Sequence, residues 1–395
     1  MMMSLDMTTD SVWEIRMPLE SERAANAVNY AQQCYSSNSS GIFDCTTFVT
    51  PVLPMTINYT ADCPFRNDNG ICKRDTSNLL IEATLDSNDH LGLNAPDDDR
   101  IQFRTTLHCA PLATEGYTSV FEDSNVAYTR YHYGPFNSGF SAPINFTYQA
   151  KSIQDQYAYD KGPQLVDKDP WYQATTPGIS VQFTGTAGER KLVFKDEAAS
   201  PLACVSQYQY CRGKHSQEAE NSRCGPLAGY MDAILGAAPI FGLVEDLDVI
   251  WSSDVPKNMT KAASNFHWFL SVFSTMNTDP YSLIRMVGTS LLASQQKFQS
   301  GMQGPLPDDQ WQIDIAHIWN TSLASIQAEF VNVARGTTRS DLQPYLMAPL
   351  NAHQKHMCEN QVYISENDLK ITLLMYLCVA SSSASSSRLI LETVC

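Results

Sequence analysis

Ile101-Gln102-Phe103-Arg104-Thr105-Thr106-Leu107-His108-Cys109 decides how the first half of this chain folds. Ile101, Phe103, Thr105, Leu107 and Cys109 share one side, opposite Gln102, Arg104, Thr106 and His108. Successive side chains of an extended backbone point to opposite faces, so the stretch is a half-buried strand with one solvated side. Leu79–Leu85 has the same period, with Leu79, Ile81, Ala83 and Leu85 facing one way. Val126–Tyr133 and Ile144–Tyr148 read as further strands, and Ile179–Thr184 with Lys191–Lys195 as a hairpin.

The period changes on either side of this β region. Upstream, Ala24, Val28, Ala31 and Tyr35 recur at helical spacing, so Glu22–Tyr35 reads as a short amphipathic helix that delivers Cys34 into the fold. Residues 36–77 read as loop, punctuated by Gly41, Pro51, Pro54, Pro64 and Gly70. Downstream, helical stripes begin near residue 226. Ile240, Val244, Leu247 and Trp251 form one; Phe266, Phe269, Leu270, Phe273 and Met276 form a second, stopped by Asp279-Pro280. Ile284, Val287, Leu291 and Phe298 form a third. The longest runs from Trp311 through Ile315, Ile318, Trp319, Leu323, Ile326 and Phe330 to Val333, ending at Gly336. Asp308 and Asp309 stand at its positive end.

Cysteine usage points to an oxidising compartment. Of the 11 cysteines, Cys34 with Cys45 and Cys63 with Cys72 are spaced for short closed loops, each worth roughly 2–3 kcal/mol in the loop-entropy description. The pairing of Cys109, Cys204, Cys211, Cys224 and Cys358 stays open, although Cys109, on the core face of its strand, calls for a buried partner. Free thiols of a cytosolic protein are the alternative reading. Sequons stand at Asn38, Asn58, Asn145, Asn258 and Asn320. The first four are glycosylation candidates, whereas Asn320 falls beside the apolar stripe of a helix.

A net charge of −16, from 26 basic and 42 acidic residues, argues against nucleic acid and anionic membrane surfaces as partners. Residues 1–23 contain no apolar segment of signal-peptide length, and the apolar run Ile371–Ala380 is half of what a bilayer span needs.

Searches for chemistry return three constellations. His353, His356 and Cys358 have loose metal-ligand spacing, with a polar loop as the plainer reading. Glu245, Asp246 and Asp248 could supply paired carboxylates but lie opposite an apolar stripe, as a solvated helix face would. Asp97-Asp98-Asp99 reads as an acidic turn ahead of Arg100. The 11 aromatics between Tyr117 and Tyr159 suit either a sheet core or a binding surface. Metalloprotease, nucleophile-elbow, phosphate-loop, dinucleotide and EF-hand motifs do not occur.

An ordered set of short motifs carries a resemblance. Cys34-Tyr35, Cys45-Thr-Thr-Phe48 with Pro51, Cys63-Pro-Phe65, Ile71-Cys72, Leu91-Gly-Leu-Asn-Ala-Pro96, Arg100 and Cys109-Ala-Pro-Leu112 are followed by Trp311, Trp319 and Cys358-Glu-Asn-Gln361. Over residues 24–361 the chain resembles a group of uncharacterised multi-spanning membrane proteins of filamentous fungi. The resemblance implies an extracytosolic domain flanked by membrane spans, with no catalytic residues to carry over. The spans are missing from the sequence at both ends, as a truncated or mis-spliced gene would leave it.

The sequence therefore predicts an α+β fold, a disulfide-pinned N-terminal antiparallel β region followed by a C-terminal bundle of about four helices. It divides into an unstructured leader (1–23), a cysteine-rich β domain (24–225), a helical region packed on it (226–336) and an irregular, disordered tail (337–395). The expected function is non-catalytic recognition or structure on the extracytosolic side of a membrane, with no cofactor or metal. A secreted or cell-surface carbohydrate hydrolase and a cytosolic interaction protein with free thiols are the alternatives.

Overall fold

The strand at 101–109 becomes the middle of a five-stranded antiparallel sheet. In chain order the strands longer than two residues are β1 (Thr56–Ala61), β2 (Asn78–Asp86), β3 (Ile101–Pro111), β4 (Thr118–Asp123), β5 (Val126–Tyr131), β6 (Thr147–Gln149), β7 (Pro170–Thr175), β8 (Val181–Thr184), β9 (Lys191–Phe194) and β10 (Ser200–Arg212). The large sheet has the order β1-β2-β3-β10-β7; β4-β5-β6 make a three-stranded sheet, and β8-β9 the expected hairpin. This computed structural model describes residues 2–3, 10–36, 45–65, 70–123, 126–131, 147–149, 170–175, 181–184, 191–194, 200–213, 223–246, 250, 259–275, 278–294, 298–299, 302–303, 307, 309–335, 346–347 and 351–362.

Register places the apolar positions of three strands on one face. Leu79, Ile81, Ala83 and Leu85 of β2 lie opposite Cys109, Leu107, Thr105 and Phe103 of β3. On the other flank of β3, Cys204, Ser206, Tyr208 and Tyr210 of β10 oppose the same four residues. Leu79, Ile81, Leu85, Phe103, Leu107 and Tyr210 are all at most 1% exposed. The helices cover this face: α1 (Asp10–Tyr30), α2 (Tyr230–Phe241), α3 (Lys261–Thr275), α4 (Pro280–Val287), α5 (Gln310–Arg335) and α6 (Ala352–Glu359). Aromatic rings join the layers. The Phe103 ring lies 5.2 Å from Tyr210 and 4.7 Å from Phe273 of α3, and Phe269 of α3 lies 5.2 Å from Phe330 of α5. One continuous core, from Ala24 to Met357, crosses the boundary placed at residue 225.

The fold class is as expected, α+β with the β region first, and four helices occupy 226–336 among the described residues. Several details differ. α1 starts at Asp10, within the stretch expected to be an unstructured leader, and continues beyond Tyr30 as a wider π-helical turn, Ala31–Tyr35, that carries Cys34. β1 lies inside the expected loop. The stripe over Ile240, Val244 and Leu247 is broken because α2 ends at Phe241. Gly242 takes φ 78°, its N–H bonds the Pro239 carbonyl, and Val244 is left 65% exposed. Asp279-Pro280 starts α4, where Asp279 caps the Ser282 N–H at 3.0 Å. α5 runs 26 residues, about 40 Å, as its periodicity requires. The tail expected to be irregular contains α6, with Gln354 and Gln361 buried.

A loop between β2 and β3, residues 87–100, ties Gln361 and Val362 to the sheet. Asn88 spans it, donating to the Ala95 carbonyl (2.6 Å) and accepting from the Ala95 N–H (3.0 Å). Gln361 donates to the Leu91 carbonyl, and the Val362 N–H donates to the Gly92 carbonyl at 2.6 Å. Gly92 sits at φ 76°, and a Cβ there would run into the Val362 carbonyl oxygen and the Gln361 amide. Gly92→Ala is therefore expected to destabilise the fold by about 1–3 kcal/mol. Gly116, at φ 80° with open space around it, should lose less on the same change. Urea unfolding of both variants checks this, and equal losses would refute it.

Candidate functional site

The four expected cysteines form the two expected bridges, Cys34–Cys45 and Cys63–Cys72. Two more lie beyond what spacing could assign. Cys109 pairs with Cys204, directly opposite across β3 and β10 and wholly buried, as its core-facing position requires. Cys211 pairs with Cys224, fastening the end of β10 to the approach of α2. Closing a 95-residue separation, Cys109–Cys204 contributes about 4–5 kcal/mol in the chain-entropy description.

The segment that follows the first disulfide, Cys45–Leu53, is seated by side chains from three elements. Tyr30 of α1 donates to the Pro51 carbonyl at 2.8 Å. Tyr35 donates to Gln327 of α5 at 2.8 Å and accepts from the Leu53 N–H, while Gln327 donates to the Thr50 carbonyl. Burial pushes the Tyr35 hydroxyl far above its ordinary pKa, so it stays a neutral donor and acceptor.

The acidic groupings resolve into internal ion pairs and open surface. Asp86 Oδ1 accepts from the backbone N–H groups of Asn88 and Asp89 and lies 3.3 Å from Arg100. Arg100 also reaches Asp89 at 3.1 Å, and its Nε lies 3.2 Å from Asp97 without the alignment of a hydrogen bond. Asp99 meets Lys261, the first residue of α3, at 2.6 Å. The Asp97–Asp99 turn is thus matched by protein cations. Glu245 and Asp246 are exposed beyond the end of α2, and Asp248 lies outside the described residues. His353 and His356 are exposed on α6, a helix where a polar loop was the plainer reading, and the Cys358 side chain lies outside the described residues. Among the described residues, no group of three His, Cys, Asp or Glu side chains converges for a metal. Of the aromatic stretch 117–159, only Tyr117 has a described side chain, and it is half-buried.

A small cleft between α1, α4 and α5 was not singled out by the sequence. Glu20, Arg23, Leu283, Met286, Ser325 and Glu329 line it, around a volume of about 20 Å³, room for a single water. Arg23 pairs with the buried Glu329 at 3.1 Å. Burial pushes the Glu329 carboxyl up, and the Arg23 charge opposes that shift. The arrangement can hold a proton on a buried carboxyl beside a guanidinium. The one available sequence signal was a Glu between Ile326 and Phe330 of a broadly apolar helix.

Asn58 is exposed on β1, and Asn320 sits on α5 with its Oδ1 buried. Asn38, Asn145 and Asn258 lie outside the described residues. No protein family, curated protein or solved structure matches this chain.

Removing Arg23 strands a buried carboxylate, so Arg23→Ala should cost about 3 kcal/mol, and Glu329→Gln less. Glu329 titrates above its ordinary 4.5 when folded. Its stabilising share is complete below that value, where both states are protonated, and is lost as pH rises through the folded-state value. The melting temperature of Glu329→Gln relative to the native chain should therefore climb as pH is raised from about 4 to 7. A difference independent of pH would contradict this.

Proposed function

We propose that this chain is the extracytosolic domain of a membrane glycoprotein of the filamentous-fungal group it resembles, serving recognition or structure without catalysis. The observation that carries the reading is the set of four disulfides, which fits an extracellular or secreted protein. A chain kept in a reducing compartment gains nothing from a buried Cys109–Cys204 bridge. Membrane attachment comes from the resemblance; no described helix is long and apolar enough to cross a bilayer.

The second support is how the resembling motifs are used. Leu91, Leu93 and Ala95 are buried in the loop after β2, Arg100 gathers its carboxylates, Trp319 fills the core, and Gln361 holds the Leu91 carbonyl. Motif residues 270 positions apart meet each other, and none of them lines the cleft at Glu329. Residues used in this way serve architecture, which suits a domain that presents a surface.

Alkylation of the native protein with and without reductant, read by peptide mass, tests the placement. Cys34, Cys45, Cys63, Cys72, Cys109, Cys204, Cys211 and Cys224 should resist alkylation until reduced. Labelling of the first four without reductant would overturn the reading in favour of a cytosolic protein.

A further inference from the structure

We infer that Asn58 carries an N-linked glycan, and that this glycan closes the edge that β1 forms among the described residues to strand addition; the inference rests on the secretory placement proposed above. β1 is the outermost strand of the β1-β2-β3-β10-β7 order. Its ladder runs Thr56↔Glu82, Ile57↔Ile81 and Asn58↔Leu80, then slips before resuming at Ala61↔Asn78. Ile57 turns inward against the core, so Asn58 lies on the outer side, where it is exposed together with Tyr59 and Thr60.

At that slip the sequon is bonded to itself. Asn58 Oδ1 accepts from the Thr60 N–H at 3.0 Å and from the Thr60 hydroxyl at 3.2 Å. The amide oxygen and the hydroxyl that a sequon requires two residues on are thereby held together. Those bonds occupy the amide oxygen, and Asn58 as a residue is exposed. Attachment joins Nδ2 to the anomeric carbon of an oligosaccharide supplied on a polyisoprenoid pyrophosphate. The bond from that carbon to the pyrophosphate oxygen breaks, its electron pair leaves with the pyrophosphate, and one Nδ2 proton passes to a base of the transferring enzyme.

Asn320 belongs to another sequon, Asn320-Thr321-Ser322, and is placed against modification. Its Oδ1 is buried on α5, Thr321 is fully buried and donates to the His317 carbonyl, and Ser322 donates to the Thr278 carbonyl. Both hydroxyls of that sequon are engaged in helix packing. A sugar there would have to displace the neighbouring chain.

The edge supplies the reason for a glycan on β1. Thr56-Ile-Asn-Tyr-Thr-Ala61 has high strand propensity and contains no charge and no proline. Edge strands of that kind pair with other chains unless something bulky or charged blocks them. A hydrophilic oligosaccharide on the outward residue next to the slip is such a block.

The test uses the full chain produced through the secretory pathway of an N-glycosylating host. Peptide-N-glycosidase treatment in heavy-oxygen water should leave labelled Asp at position 58 and unlabelled Asn at 320. Thr60→Ala should lose the label. Asn58→Gln, purified in parallel, should sediment as dimers or larger species where the glycosylated chain is monomeric. An unmodified Asn58 in a chain whose four disulfides have formed overturns the inference and leaves the secretory reading standing. Free cysteines together with an unmodified Asn58 overturn both. A monomeric Asn58→Gln chain with the native glycan mapped to Asn58 overturns the edge-closing role.

Discussion

The middle of α5 is buried on every side, and a helix in that position must satisfy its own polar side chains. Residues 321–327 are all buried, among them Thr321, Ser322, Ser325 and Gln327. The turns at 312–314, 321–322 and 327–329 meet that requirement with different neighbours, whereas His317 Nε2, Trp319 Nε1 and Asn320 Oδ1 between them are buried without one. Gln312 reaches toward the backbone of Tyr59 and Ser77, and Asp314 accepts from Ser294. Ser322 bonds the Thr278 carbonyl, Gln327 holds Tyr35 and Thr50, and Glu329 pairs with Arg23. These bonds are directional, whereas apolar burial is not. α5 therefore sets where α1, the segment after the first disulfide and the turn before α4 can sit.

The sheet depends on a second, covalent constraint of a different kind. β3 and β10 form its longest ladder, and Cys109–Cys204 fixes their register at the core face. A one-residue slip would send every core side chain of β10 to the outer face. The bridge forbids that slip, and the ring of Tyr210 against Phe103 and Phe266 adds shape selection further along the same strand. Rigid placement of β10 is what lets Cys211–Cys224 position the start of α2.

Much of this was legible where one chemistry repeats with one period. The alternation of β2 and β3 and the threes and fours of α5 are burial written into sequence order, and each of the three lies where it is expected. β10 was not read, although Leu202, Cys204, Tyr208 and Tyr210 keep the period, because Ser206 and Gln207 blur it at the centre. β1 escaped because an exposed edge strand has little apolar pattern to show. The end of α2 is masked in the sequence because Val244 keeps the helical spacing past the stop at Gly242. The cleft at Glu329 and the clasp at Gln361 are contacts over more than 250 positions, for which local periodicity has no signal.

The sequence separations of the disulfides also impose an order in time. Cys204 is synthesised 95 residues after Cys109, which at about 5–20 residues per second leaves Cys109 without its partner for roughly 5–20 s. Cys34–Cys45 and Cys63–Cys72 span 11 and 9 residues, so each can close almost as soon as it is made. Early closure removes four competing thiols from the neighbourhood while Cys109 waits. The short bridges thus act as chaperones of the long one, and their value to the chain lies as much in the pairings they prevent as in the loops they close.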